Sequence, residues 1–163
     1  MSGSHPRGTG GYSLVEIAVT VAVIGVLAAL AIPSLRGTLP RVRLDNNTSI
    51  LVNEIGLARR QAIAQSVEYS ILFDTSAHSY TLRKREAGAW KSLGTNALNG
   101  SHLVGVTGFS SADTLVAQAG GAMNVPPSVG GSANYGYITL ATPDGSRRRR
   151  IRVEPLGRVF AEK

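Results

Sequence analysis

The longest apolar segment of the chain lies near its N-terminus. Residues 12–32, YSLVEIAVTVAVIGVLAALAI, run for 21 positions with one charged residue, Glu16. Because an α-helix rises about 1.5 Å per residue, a helix of this length just spans the hydrocarbon core of a bilayer, which is about 30 Å thick. The pattern therefore predicts a membrane-spanning helix.

The residues that precede this run are polar and rich in glycine. Residues 1–11 read MSGSHPRGTGG, and their basic residue, Arg7, favours a cytoplasmic N-terminus. A secretory signal, cleaved after the apolar run near the small residues 28–31, is the alternative interpretation. Two features argue against it, because the composition changes before the apolar run, at Gly11, and an acidic residue, Glu16, follows five positions later.

Glu16 is unusual for a residue in a membrane helix. Placing a carboxylate in hydrocarbon costs at least about 2.5 kcal/mol, so this residue needs a cationic partner. If the chain is cleaved after Gly11, the new α-amino group of Tyr12 is such a cation, and a staggered neighbouring helix can bring it to Glu16. In the alternative interpretation Glu16 lies at the headgroup boundary and reaches water. The spacing alone leaves both interpretations open.

The apolar pattern changes after two prolines. Pro33 should kink or interrupt the helix, and Pro40 adds a second irregularity, because proline lacks a backbone donor. The following apolar stripe predicts an amphipathic helix that ends near residues 65–66 and packs on the globular part. Arg59 and Arg60, near this end, are interpreted as solvated charges that suit the helix dipole. The stripe consists of Leu44, Thr48, Leu51, Ile55, Ala58 and Ala62.

Beyond residue 66 the periodicity becomes that of β-strands. Residues 67–74 and 80–85 alternate apolar and polar side chains and predict a β-hairpin joined through TSAHS. Two weaker candidates for strands follow, KSL after Trp90 and HLVGV at residues 102–106. This half of the chain is therefore predicted to form an antiparallel sheet.

The C-terminal part combines an irregular segment with another predicted hairpin. Residues 117–134 are rich in glycine and proline, which forbids regular structure and predicts a mobile loop. Residues 137–160 read as two strands around an Asp144-Gly145 turn, followed by a short closing segment. The predicted architecture is one long helix laid against an antiparallel sheet.

Composition narrows the possible chemistry. Seventeen Lys and Arg against ten Asp and Glu give a net charge of +7, which favours phosphate backbones or anionic headgroups as partners. The absence of Cys excludes disulfides, thiolate metal sites and cysteine nucleophiles, and the scattered His5, His78 and His102 predict no metal site. No catalytic constellation or phosphate-binding loop is present, so we expect neither an enzyme nor a cofactor.

Basic residues concentrate before and within the last predicted strands. On a strand, alternation places residues 148, 150 and 152 on one face and residues 147 and 149 on the other. Such a face can follow a phosphate backbone, and without interleaved aromatic residues its binding should be indifferent to base sequence. The alternatives are a charged edge that blocks strand aggregation and, more weakly, attraction to anionic lipids. The cluster consists of Arg147, Arg148, Arg149, Arg150, Arg152 and Arg158.

The N-terminal segment GYSLVEIAVTVAVIGVLAALAIPSL resembles the class III signal and first helix of type IV pilins and pseudopilins. The family pattern of Gly, an aromatic residue or Met, Ser or Thr, Leu, an apolar residue and Glu is matched by residues 11–16, and Pro33 matches its helix end. The resemblance implies cleavage after Gly11 by a prepilin peptidase, N-methylation of Tyr12, and pairing of Glu16 with a neighbour's N-terminus. Tyr12 departs from the usual Phe.

A second resemblance involves the C-terminal part. The segment YITLATPDGSRRRRIRVEPLGRV is similar to the strand, DG turn, basic strand and G-R-V segment of minor pseudopilin H and FimT-like proteins, and LARRQAIAQ resembles their helix end. Some FimT-like minor pilins bind DNA for natural transformation through basic residues in this region. The absence of Cys departs from the C-terminal disulfide loop of many major pilins.

These observations together predict an α+β protein with the type IV pilin fold. We expect a leader at 1–11, a transmembrane and assembly helix at 12–35, an amphipathic helix half at 36–66 and a β-sheet domain at 67–163. The expected function is that of a minor pilin or pseudopilin in the assembly or initiation of a type II secretion or type IV pilus filament. DNA uptake is the alternative. The expected location is the bacterial inner membrane, with one span, a cytoplasmic N-terminus and a periplasmic domain.

Overall fold

A computed structural model describes residues 13–111, 113–126 and 134–162, with side chains except at 30–37. Its helix, α1, extends over Leu14–Gln65, and so ends where the stripe predicts. The helix includes Pro33 and Pro40, so neither proline interrupts it. The predicted leader lies outside the described residues. The chain divides into two compact units, Met1–Thr38 and Leu39–Lys163.

The described part of the first unit is helical and apolar. Its side chains from Leu14 to Leu27 are exposed, including Leu14 at 83% and Val15 at 67% of their full surface. Among the described residues, no helix has the length and apolar character of a membrane span.

In the second unit, the C-terminal part of α1 buries one face. The stripe predicted from the sequence is buried at every position, which confirms that this part of the helix is amphipathic. Apolar side chains spaced by three and four residues lie on the same side of a helix, and this side packs on the core. The buried positions are Leu44, Thr48, Leu51, Ile55, Ala58 and Ala62.

The described residues form two four-stranded antiparallel sheets, where the sequence predicts one. The first sheet has the order β3-β2-β1-β5, and the register Phe73 opposite Tyr80 confirms the predicted hairpin. The weak candidate after Trp90 belongs to the long third strand. The strand bounds are β1 Tyr69–Asp74, β2 Ser79–Glu86, β3 Ala89–Ala97 and β5 Thr114–Ala117.

The second sheet has the order β4-β6-β7-β8. The Asp144-Gly145 turn joins its two central strands as predicted, and the closing segment of the chain is a fourth strand that pairs Phe160 with Arg152. The strand bounds are β4 His102–Thr107, β6 Gly136–Ala141, β7 Arg148–Val153 and β8 Val159–Glu162.

Both sheets contribute to a core shared with α1. Inward residues alternate along each strand, as Ile138 and Leu140 do on β6 and Ile151 and Val153 do on β7, and all four are fully buried. Val, Ile, Leu and Ala dominate this core, with Tyr69, Phe73 and Tyr80 as its aromatic members.

Part of the segment predicted as a mobile loop makes defined contacts. Met123 and Val125 are buried, and Met123 donates its backbone N–H to the Pro155 carbonyl at 2.9 Å. Asn124 donates its backbone N–H to Val116 and its side-chain amide to Thr114. Residues 118–126 therefore pack on the core, while residues 127–133 lie outside the described residues.

Candidate interaction sites

Glu16 is the candidate assembly residue that the structure describes, whereas Gly11 and Tyr12 lie outside the described residues. It occupies the first turn of α1, where a negative charge is favoured by the helix dipole, and it is exposed. Thr20 donates its hydroxyl to the Glu16 backbone carbonyl at 2.7 Å. No described residue forms an ion pair with the Glu16 carboxylate.

The arginine cluster is divided between the two faces of β7. Arg149 lies on the same face as the buried Ile151, and its Nε donates to Asp45 Oδ1 on α1 at 2.7 Å. This hydrogen bond, with the positive charges of Arg149, Arg41 and Arg147, lowers the pKa of the Asp45 carboxyl below its usual value. Arg149 therefore joins strand to helix and does not contribute to the outer face.

Arg152 lies on the outer face but is already paired. Its guanidinium is 3.2 Å from Glu162 Oε1 and 3.8 Å from Glu154 Oε1. It also stacks on two rings, with its Cζ 4.8 Å from the Tyr135 ring centre and 5.1 Å from that of Phe160. Arg152 therefore already has acidic and aromatic partners within the protein.

Aromatic rings lie beside the arginines in the fold. Tyr137 lies directly opposite Arg152 in the β6–β7 register, and its ring centre is 5.2 Å from Arg150 Cζ. Tyr135 and Tyr137 meet edge to face, with their ring centres 6.2 Å apart. The neighbouring strands thus bring rings to the arginines, although none is adjacent to them in the sequence.

Arg148 and Arg150 remain unpaired by any carboxylate among the described residues. Both are exposed and belong to the lining of a hollow of about 410 Å³ on the outer face of the second sheet. We call it the outer-face hollow, and its lining consists of Val104, Gly105, Thr139, Arg148, Arg150 and Glu162.

Arg147 and Arg158 are exposed and lie outside the strands, and each directly precedes one, β7 and β8 respectively. The turn before β7 is held by the Thr142 N–H, which donates to the Arg147 carbonyl at 3.0 Å. Within it, hydrogen bonds from Thr142 and Ser146 lower the pKa of Asp144. The turn geometry thus fixes where the basic strand begins.

The prediction that Arg59 is a solvated charge was wrong. Its Nε donates to the Gly121 carbonyl at 2.8 Å, and the side chain is partly buried. A Cβ at Gly157 would lie 2.6 Å from Arg59 Cδ, so the side chain passes directly over that glycine. Arg59 therefore links α1 to the 118–126 segment and to the turn before β8, whereas Arg60 is exposed as expected.

The histidines do not form a metal site within the described part of the chain. His78 and His102 stack with their ring centres 4.1 Å apart and their planes 14° from parallel. No group of three metal-ligating side chains occurs among the described residues.

The fold is similar to those of a solved minor pseudopilin and a solved minor pilin. The minor pseudopilin EpsH from the Type 2 Secretion System of Vibrio cholerae superposes with a TM-score of 0.59 and 12% identity, over 74% of this chain and 96% of EpsH. The type IV minor pilin FimU of Pseudomonas aeruginosa gives 0.55 and 19%, over 76% and 90%. No family model and no curated protein matches the sequence. The chain therefore has a type IV pilin-like fold.

The sequence did not identify the partners that divide the arginine cluster. Asp45 lies 104 residues from Arg149, so no local pattern joins them. The position of Tyr137 was predictable from the sequence, because counting residues outward from the Asp144-Gly145 turn places it opposite Arg152. The same count places Thr139 opposite Arg150, on the floor of the outer-face hollow.

Proposed function

We propose that the protein is a minor pilin or pseudopilin subunit that acts in the assembly or initiation of a type II secretion or type IV pilus filament. The observation that carries the proposal is Glu16, an exposed carboxylate in the first turn of an apolar helix, without an ion pair among the described residues. The pilin-like fold of the second unit supports it. The resemblance of residues 11–33 to the class III signal and first helix of type IV pilins adds to this support.

The proposal includes processing of the N-terminus. A prepilin peptidase would cleave between Gly11 and Tyr12, and Tyr12 would then be N-methylated. The apolar helix of residues 12–35 would cross the bacterial inner membrane once, with a cytoplasmic N-terminus and the β-sheet unit on the periplasmic side. Its support is the run of 21 residues with one charge and the exposure of its described apolar side chains.

In a filament, Glu16 would pair with the N-terminal amine of a neighbouring subunit. The pairing replaces an uncompensated charge in hydrocarbon by an ion pair, and so favours the assembled state over the monomer in lipid. The test is Glu16→Ala, which we expect to insert into the membrane normally but to enter filaments poorly. Glu16→Asp, which keeps the charge on a shorter side chain, is the matched variant. Normal incorporation of Glu16→Ala would refute the pairing.

DNA binding for uptake is a second candidate function. The specific observation in its favour is that four arginines of the cluster, Arg147, Arg148, Arg150 and Arg158, are exposed and form no ion pair among the described residues. Binding of double-stranded DNA through phosphate contacts should weaken steeply with salt, by a slope close to the number of phosphates contacted.

The division of the cluster sharpens the test of this candidate. A duplex titrated at two salt concentrations should lose affinity when Arg148 and Arg150 are both changed to Ala. Arg149→Gln should leave the salt slope unchanged, because Arg149 faces Asp45. Equal losses in both variants would indicate a general fold defect, and no binding at low salt would exclude DNA as a partner.

A further inference from the structure

The outer-face hollow has the shape of a small binding site. Gly105 and Thr139, which pair across β4 and β6, form its floor. A Cβ at Gly105 would contact no atom within 4 Å, so the space above this glycine is open. The register shift between Leu103 and Gly105 places Val104 at the rim, where it is 49% exposed. At about 410 Å³ the hollow accommodates one or two side chains.

The electrostatics of the hollow favour a carboxylate. Arg148 and Arg150 are two residues apart on one strand face, so both guanidinium groups can reach the same opening. Arg149 pairs with Asp45, and Arg152 pairs with Glu154 and Glu162. Arg148 and Arg150, in contrast, form no ion pair with an acidic residue among the described residues. A guanidinium matches the geometry of a carboxylate with two parallel hydrogen bonds.

The rest of the lining distinguishes an acidic peptide from a nucleic acid. Glu162 belongs to the wall and lies opposite Arg150. A duplex carries one negative charge per about 1.7 Å, and so brings several phosphates towards this carboxylate, whereas a peptide with one acidic residue brings a single negative charge. The exposed Val104 and the nearby Phe160, 41% exposed, suit apolar side chains that flank an acidic residue.

We propose that the outer-face hollow receives an acidic side chain, flanked by apolar residues, from a neighbouring subunit. The inference rests on the proposed function, because that function supplies the neighbour. Arg148 and Arg150 bind the carboxylate, Gly105 and Thr139 leave room for it, and Val104 contacts its apolar neighbours. The outer face of the second sheet is then a subunit contact whose specificity lies in charge and shape together.

The test is an NMR titration of the full-length 15N-labelled chain in nonionic detergent with the peptide acetyl-Gly-Val-Glu-Val-Gly-amide. We expect saturable shifts at the backbone amides of Gly105, Thr139 and Arg148. The peptide with Gln in place of Glu should bind at least about tenfold more weakly, because its central side chain is uncharged. Absence of shifts at these residues with the Glu peptide would overturn the proposal.

Three variants distinguish the contribution of the hollow's open space to peptide binding from the contribution of its charge. Gly105→Leu fills the open space without changing a charge, and Arg148→Ala with Arg150→Ala removes the charge, so each should abolish the shifts. Arg147→Ala with Arg158→Ala removes the same charge outside the hollow and should preserve them. Unchanged binding by Gly105→Leu would show attraction by charge alone and contradict the proposed site.

A 12-base-pair duplex is the competing ligand. If it shifts the same amides while the Glu peptide does not, the surface binds nucleic acid and the proposal is wrong. Failure of the assembly function is measured separately, since Glu16→Ala changes incorporation into filaments but leaves the hollow intact. A chain that is incorporated into filaments normally but does not bind the Glu peptide would overturn this inference without contradicting the proposed function.

Discussion

Arg149 and Asp45 join the basic strand to the helix, with Arg149 Nε 2.7 Å from Asp45 Oδ1 across 104 residues of sequence. The side chain of Arg149 is 23% exposed and that of Asp45 is 44% exposed. The pair therefore lies at the margin of the core, where an ion pair contributes modestly. It also turns one arginine of the cluster towards the protein.

Loss of the Arg149–Asp45 ion pair should destabilise the protein modestly. Asp45→Asn should lower the free energy of unfolding of the full-length chain in detergent by about 0.5 to 1 kcal/mol at pH 7, since the pair is partly exposed. Urea denaturation measures the change. The double variant Asp45→Asn with Arg149→Gln completes a double-mutant cycle. Additive losses of unfolding free energy would show that the two side chains are not coupled.

The same pair should respond to pH. The Arg149 hydrogen bond lowers the pKa of Asp45, so its contribution is complete above the unfolded value of about 3.9 and is lost as the pH falls through the lower, folded pKa. The difference between the wild type and Asp45→Asn should therefore be constant from pH 7 to pH 5 and shrink below pH 4. A difference independent of pH down to pH 2 would contradict this account.

Gly157 should be more sensitive to substitution than Gly145. Both have positive φ, +83° and +69°, but a side chain at Gly157 meets Arg59 whereas one at Gly145 meets nothing within 4 Å. Gly145→Ala should cost about 1 kcal/mol from backbone strain alone. Gly157→Ala should cost about 2 to 3 kcal/mol, because it also displaces Arg59 from the Gly121 carbonyl. Equal losses of unfolding free energy in the two variants, measured by thermal denaturation, would show that the Arg59 contact does not contribute to stability.

Two leucines on α1 should differ in how much their side chains contribute to the free energy of unfolding. Leu51 is fully buried and Leu57 is 40% exposed. Leu51→Ala should lower the free energy of unfolding by about 2 to 5 kcal/mol through lost burial and a cavity. Leu57→Ala should change it by about 0.5 kcal/mol or less. A comparable loss for Leu57→Ala would mean that the exposed face of the helix is covered in solution.

Processing can be tested at the proposed cleavage site. Gly11→Val should block removal of residues 1–11, because a branched side chain replaces the hydrogen of the residue before the scissile bond. Gly10→Val, one position earlier, is the matched control and should be cleaved. Mass spectrometry of the chain recovered from membranes measures the difference. A mature mass in both variants would refute cleavage after Gly11.

The sequence was most informative where periodicity and local chemistry agree. The stripe from Leu44 to Ala62 was predicted completely, because burial on one helix face leaves a spacing that can be read directly. The Asp144-Gly145 turn was recognisable for a similar reason, since few residues tolerate its positive φ.

The remainder depended on tertiary contacts. The strand Thr114–Ala117 was missed, because four residues carry too little pattern and the strand is defined by its pairing with β1. The division into two sheets follows from which strands pair, and local sequence does not specify it. Arg59 looked like a surface charge because its partner, a backbone carbonyl at Gly121, has no signature in the sequence.

The alternation of β7 also bears on how the protein can evolve. Positions 149, 151 and 153 serve the interior, whereas positions 148 and 150 make no ion pair among the described residues. Substitutions at 148 and 150 should therefore disturb the core less than substitutions at 151 and 153. The charge of the outer face can therefore change at these two positions while the inward residues that hold the strand in place stay the same.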